Sequence, residues 1–95
     1  MADGVFAALS HPTRRAVLRE LAGRDWMLAG DLAEALDVAG PTLSGHLRIL
    51  READLVVSER RGTTIRYMAN ASVVESAFAA FLQSLGVGRA DPENE

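Results

Sequence analysis

Residues Gly40 to Tyr67 constrain this chain most, because two hydrophobic periods meet there with almost no spacer. After Pro41, apolar side chains recur as Leu43, Leu47 and Leu50. At ~3.6 residues per turn they share one narrow arc, and Ser44, Gly45 and Arg48 fall on the opposite side. The spacing predicts a helix with one apolar stripe and one small, polar, Arg-bearing face. The period then shortens to two. Ile65 and Tyr67 alternate with Thr64, Arg66 and Met68, which predicts a strand over Thr64 to Ala69 paired with one over Leu55 to Arg60. Arg61-Gly62-Thr63 reads as the hairpin tip, where Gly supplies any positive φ.

The segments before and after read as support. Asp3 to Leu9 forms a short helix with Val5, Phe6 and Leu9 on one side. Ser10-His11-Pro12 breaks it, and His11 reads as a helix-start residue. Thr13 to Ala22 places Val17, Leu18 and Leu21 inward and ends at Gly23. Arg24 to Leu28 is a connector, extended briefly around Trp26 and Met27, a pair that either fills core or edges a small-molecule pocket. Ala29 to Leu36 is a third helix with a weak start signal, and Asp37 to Gly40 turns into the fourth. Two short helices so joined form a helix-turn-helix. Ser72-Val73-Val74-Glu75 reads as a capping box for a last helix that ends near Leu85, before Gly86. The expected fold is mainly α with a small β-hairpin wing, α-α-α-α-β-β-α. One domain spans residues 1–86, with a flexible tail over 87–95.

Charge and composition narrow the functions. The net charge is −3, yet Thr42 to Tyr67 carries five arginines against three acids, while the rest carries five against ten. Positive charge is therefore concentrated on the helix and hairpin, as a nucleic-acid surface requires. All ten basic residues are Arg, which offers a planar fork to phosphates and guanine edges, although genome base composition also explains the choice. The chain has no cysteine, which excludes disulfides and thiolate metal sites. No apolar run reaches the ~20 residues of a membrane span, and the N-terminus lacks a basic segment, so the expected location is the cytoplasm.

Three stretches together resemble the ArsR/SmtB family of small winged helix-turn-helix repressors. They are Ala8-Leu9-Ser10-His11-Pro12-Thr13-Arg14-Arg15, the reader stretch Leu32 to Leu36 with Pro41 to Ala53, and the wing from Arg60 to Tyr67. The resemblance covers residues 3 to 85 and departs from the family's pattern at named positions. His11 stands where Asp is more usual, Ala39 where Ser caps the reader helix, Gly40 where Gln or Ser is frequent, and Asp54 where Gly is usual. The family's metal sensors use cysteines, or His and carboxylates on the last helix. Here that helix has no His and Glu75 as its carboxylate. The resemblance therefore implies the members without a regulatory metal, nearest the SdpR-like autorepressors, with no cofactor.

From these readings the candidate DNA-binding residues are Thr42, Ser44, Gly45, His46, Arg48, Arg60, Arg61 and Arg66. Arg48 reads a base, Ser44 a base or phosphate, Thr42 a phosphate at the helix start, and the wing arginines phosphate or minor groove. His46, at the edge of the apolar arc, contacts phosphate or groove edge, or else is a buried, hydrogen-bonded ring. Arg14 and Arg15 touch the DNA backbone or pair with a nearby acid. The last helix carries a wide apolar stripe, expected to dock on a twin through Val5, Phe6, Leu9, Val74, Phe78, Phe81, Leu82 and Leu85. The expected partners are double-stranded DNA, as an inverted-repeat operator, and a second copy. No nucleophile–base pair, phosphate-cradling glycine loop or metal cluster suggests an enzyme. A repressor that responds to an unidentified inducer, and a winged-helix protein-interaction module, are the alternatives.

Overall fold

A computed structural model describes residues 2–86; the expected tail lies outside them. The chain runs α1 (Ala2–Ala8), α2 (Pro12–Leu21), β1 (Met27–Leu28), α3 (Ala29–Leu36), α4 (Gly40–Glu52), β2 (Val56–Arg61), β3 (Thr64–Ala69) and α5 (Ala71–Ser84). Pro12 and Pro41 open α2 and α4, where the missing N–H would be unpaired anyway. Asp37 and Asp54 close α3 and α4 with φ of 54° and 62°. After Asp54 the Leu55 amide returns to the Leu50 carbonyl at 3.0 Å, and after Asp37 the Val38 amide returns to Ala33 at 3.0 Å. Both are Schellman-type closures in which Asp fills the left-handed position that Gly usually takes. They set the exit angles on both sides of α4.

The hairpin expected from the alternation gains a third strand. Met27 and Leu28, the extended part of the connector, pair antiparallel with Tyr67 and Arg66, giving the order β1-β3-β2. A two-residue strand carries too few side chains to show a period. On the other edge Val56 faces Ala69 and Arg61 faces Thr64, so Gly62 and Thr63 form the tip, with Gly62 at φ 61°.

The core is small and centred on α4. Leu43, Leu47 and Leu50 are buried with Val17 and Leu21 of α2, Leu32 of α3, Leu55, Val56 and Tyr67. Ala8, the last residue of α1, is also sealed. The segment between α1 and α2 is held by arginine. Arg14 Nε donates to the Ala8 carbonyl at 2.6 Å, and Arg15 donates to the Leu9 carbonyl at 2.8 Å. These side chains thus close the free carbonyls at the end of α1, where the sequence suggested DNA phosphates or an acidic partner.

The capping box at Ser72 is not formed. Asn70 already has its amide on the Leu55 carbonyl at 2.9 Å, so α5 starts at Ala71 with Asn70 in the capping position. Ser72 Oγ meets the Asn70 side chain at 3.3 Å instead. α5 contributes no buried residue.

The start of α4 is as bare as the sequence implies. Ala39 has the extended backbone of a helix cap but no side chain to accept an amide. Ala39→Ser is expected to raise folding stability by about 1 kcal/mol, read as a higher urea midpoint with an unchanged slope.

Candidate nucleic-acid interface

Burial of the leucine arc turns the other side of α4 to solvent. Thr42, Ser44 and Arg48 are exposed, and Gly45 is half-buried with no atom within 4 Å of where a Cβ would stand. Pro41, Ser44, Gly45, Arg48, Arg51 and Tyr67 line a shallow concavity of about 480 Å³ between α4 and the sheet. Arg51 was outside the sequence's site set, although it lies three residues from Arg48 and seven from Ser44, spacings that keep it on their face. Tyr67 was missed because the alternation marks it as a core residue, which it also is.

His46 is brought elsewhere. It is half-buried, its ring lies 4.5 Å from that of His11, and its Nδ1 sits 3.3 Å from an Arg14 guanidinium nitrogen. Arg14 can only donate, so His46 Nδ1 accepts and its proton belongs on Nε2. His11 caps α2 as expected, its Nδ1 accepting the Thr13 amide at 3.1 Å. Partial burial, reinforced by His11 and Arg14, holds the His46 pKa below the ordinary 6.5. In the free chain the ring is thus half-buried and hydrogen-bonded to Arg14.

The wing arginines are not equivalent. Arg60 is exposed and has no carboxylate partner among the described residues. Arg61 donates to Glu59 Oε1 at 3.1 Å, and Arg66, opposite Glu59 across the sheet, donates to the same oxygen at 2.7 Å. The Arg66 guanidinium also lies over the Trp26 ring, 4.5 Å from its centre, so Trp26 serves as a platform for a wing arginine. Hydrogen bonds from Arg66 and then Arg61 hold the Glu59 carboxyl below the usual carboxylate range. Glu59 thus cancels part of the positive charge that the sequence assigns to this hairpin.

On another face, Phe6, Leu9, Val74, Phe78 and Phe81 line an apolar groove of about 860 Å³. Phe6 and Phe81 meet edge to face at 6.0 Å within the same chain. Phe78 is 62% exposed and Leu85 59%, whereas Val5 packs on the core and Leu82 is half-buried.

The arrangement of a reader helix, a three-stranded sheet with a basic tip and a flanking helix pair matches known regulators. A helix-turn-helix domain model matches residues 9–59. The transcriptional repressor SdpR of Bacillus subtilis is 38% identical over 89 residues, covering 94% of this chain and 98% of that protein. The chain belongs to the ArsR/SmtB family of winged helix-turn-helix repressors. Among solved structures, an ArsR-like transcriptional regulator from Rhodococcus sp. RHA1 superposes with a TM-score of 0.75 at 38% identity, over 90% of this chain and 78% of that one. NolR from Sinorhizobium fredii superposes with a TM-score of 0.72 at 30% identity, over 92% and 86%. As an ArsR/SmtB-family member the chain is a DNA-binding transcriptional repressor. Among its described residues no helix is long and apolar enough to cross a membrane, and no group of His, Cys, Asp or Glu is placed to hold a metal ion.

Because the His46 pKa is lowered in the native state, the unfolded chain takes up the proton first as the pH falls. The stability conferred by the neutral ring is complete above the ordinary pKa and is lost as the pH drops through the native value. His46→Gln keeps an acceptor for Arg14 without titrating, so urea midpoints measured from about pH 7.5 to about pH 5 should fall less steeply than in wild type. Separately, Glu59→Gln frees Arg61 and Arg66. It should tighten binding to cognate and scrambled duplexes alike and steepen the log–log salt dependence by about one charge per protomer, as read by fluorescence anisotropy.

Proposed function

We propose that this repressor acts as a cytoplasmic homodimer that places two α4 helices in successive major grooves of an inverted-repeat operator, excluding polymerase from the promoter. In this reading Arg48 reads a base edge, and Thr42 and Ser44 contact phosphate or base near the helix start. Arg60 meets phosphate at the hairpin. Arg61 and Arg66 join it to the extent that they leave Glu59. His46 acts by anchoring α4 to Arg14. The observation that carries the proposal is the contrast on α4 itself. Leu43, Leu47 and Leu50 are sealed, while Thr42, Ser44 and Arg48 stand open beside a basic hairpin.

The two-copy part draws on α5. A helix with no buried residue and three large apolar side chains in solvent (Phe78, Phe81 and Leu85) is only half used by its own chain. A twin helix and the Phe6–Leu9 edge of α1 would cover that face. An autorepressor role fits the match to SdpR, and an inducer-responsive role would need a ligand in the apolar groove or beside the sheet. The lone Trp26, one place considered for such a ligand, already has Arg66 over its ring.

Selection of bound sequences from a random DNA pool tests the proposal. A palindrome is expected, with half-site centres one helical turn, ~34–36 Å, apart. Arg48→Ala should cost about 1–3 kcal/mol per half-site on the selected duplex and relax preference at one base pair in each half-site. Arg60→Ala should weaken all sequences alike and reduce the salt slope by about 1 per protomer. Phe78→Asp should shift sedimentation from dimer to monomer and weaken operator binding. Recovery of a sequence without symmetry, or dimers that survive Phe78→Asp, would sink the two-copy arrangement.

A further inference from the structure

Tyr67 is only 8% exposed, and its hydroxyl has no hydrogen-bond partner among the described residues. Buried tyrosine hydroxyls usually find one. Every fully buried side-chain nitrogen or oxygen among the described residues is paired, so this unpaired hydroxyl must reach solvent. Tyr67 meets solvent at the concavity it shares with Pro41, Ser44, Gly45, Arg48 and Arg51. A phenylalanine would bury the same ring, so packing alone does not call for the oxygen.

The other groups there have a matching character. Neither Arg48 nor Arg51 has a carboxylate within ion-pair distance among the described residues. Arg24, Arg61 and Arg66 are ion-paired, and Arg14 and Arg15 are spent on backbone carbonyls. Two arginines without a carboxylate partner and the tyrosine that carries this hydroxyl thus line one hollow. Gly45, in the same lining, carries no side chain. Two cations and a neutral donor suit a small anion with several acceptor oxygens. The hollow lies between the exposed face of α4 and the sheet that carries the wing. A sugar-phosphate strand must cross there if the helix occupies one groove and the hairpin the next.

We propose that this concavity is a phosphodiester seat, in which Arg51 and the Tyr67 hydroxyl grip one backbone phosphate of duplex DNA and leave Arg48 free to read the adjacent base. The proposal rests on α4 being the helix that enters the groove. Arg51 supplies the charge, and Tyr67, fixed by the core at the centre of the sheet, supplies a donor whose position does not depend on a flexible chain. The seat therefore sets the depth and tilt of α4 in the groove without contributing sequence information.

The test uses the full chain with two probes, a duplex recovered from a random pool and a scrambled duplex of equal length. Tyr67→Phe should retain the wild-type melting temperature and weaken both duplexes about tenfold, with the salt slope unchanged because no charge is lost. Arg51→Gln, at an exposed position, should weaken both and reduce the slope by about 1 per protomer. In a scan of methylphosphonates placed in symmetry-related pairs, one in each half-site, both variants should lose their defect at the same one pair of positions, where the wild type is itself weakened. Variants that match wild type while the wild type binds normally overturn the seat alone. So do defects that persist at every methylphosphonate position, or that appear only on the selected sequence. A wild-type protein that binds neither duplex overturns the seat and the placement of α4 together.

Discussion

The sealed contact of Leu43, Leu47 and Leu50 with Val17, Leu21, Leu32 and Leu55 is the constraint on which the rest of this molecule depends. These side chains do more than contribute burial energy. A 13-residue helix with apolar residues on one narrow stripe has a single rotational setting that hides them. That setting fixes which residues face outward. Ser44, Arg48 and Arg51 are exposed as a consequence of where the leucines must go. The same leucines bring α4 against the sheet, which creates the hollow beside Tyr67. The core and the interface are therefore fixed by the same three leucines.

The electrostatics are set in two layers. Sequence counting gives a cationic segment on an acidic body, and the structure divides those cations by what they already hold. Arg14 and Arg15 close carbonyls at the end of α1. Arg61 and Arg66 share Glu59, and Arg66 rests on Trp26. Arg48, Arg51 and Arg60 have no such partner among the described residues and retain their full charge for an external anion. A surface ion pair of this kind has little effect on stability. Its effect on binding is larger, because each pair must be broken or left in place when phosphate arrives. Glu59 thus leaves less free positive charge on the hairpin than its arginines alone would give.

Much of this was legible in the sequence, and the unread parts have identifiable causes. The helical arc of α4 and the alternation of β3 are strong periodic signals, and both elements fall where they were expected. Asp54 was marked as standing in a glycine's place, and it does adopt the left-handed backbone that such a place demands. β1 was readable only as an extended connector, since pairing is a long-range property and two residues carry no period. The α5 start was misplaced because a capping-box pattern competes with a distant hydrogen bond, Asn70 to Leu55, that no local rule contains. His46 was ambiguous for a similar reason. Its partners His11 and Arg14 lie more than thirty residues away in sequence. Tyr67 exposes a limit of binary patterning, which assigns a residue to core or surface although its ring and its hydroxyl belong to different regions.

The two faces of the molecule are joined at the end of α1. Phe6 packs on Phe81, so α1 belongs to the apolar face. Two residues later its Ala8 carbonyl is held by Arg14, whose guanidinium also reaches His46 on α4. The path from the apolar groove to the reader helix is therefore one short helix and one arginine. Such a path is only an allosteric route if its arrangement has two states that a ligand, partner or proton can bias. His46 meets part of that condition. Its acceptor role toward Arg14 exists only while the ring is neutral, and burial together with the nearby cation favours that form. Protonation would place two positive groups 3.3 Å apart at the joint, which weakens the link between α1 and α4 and leaves the leucine seam to hold the helix alone.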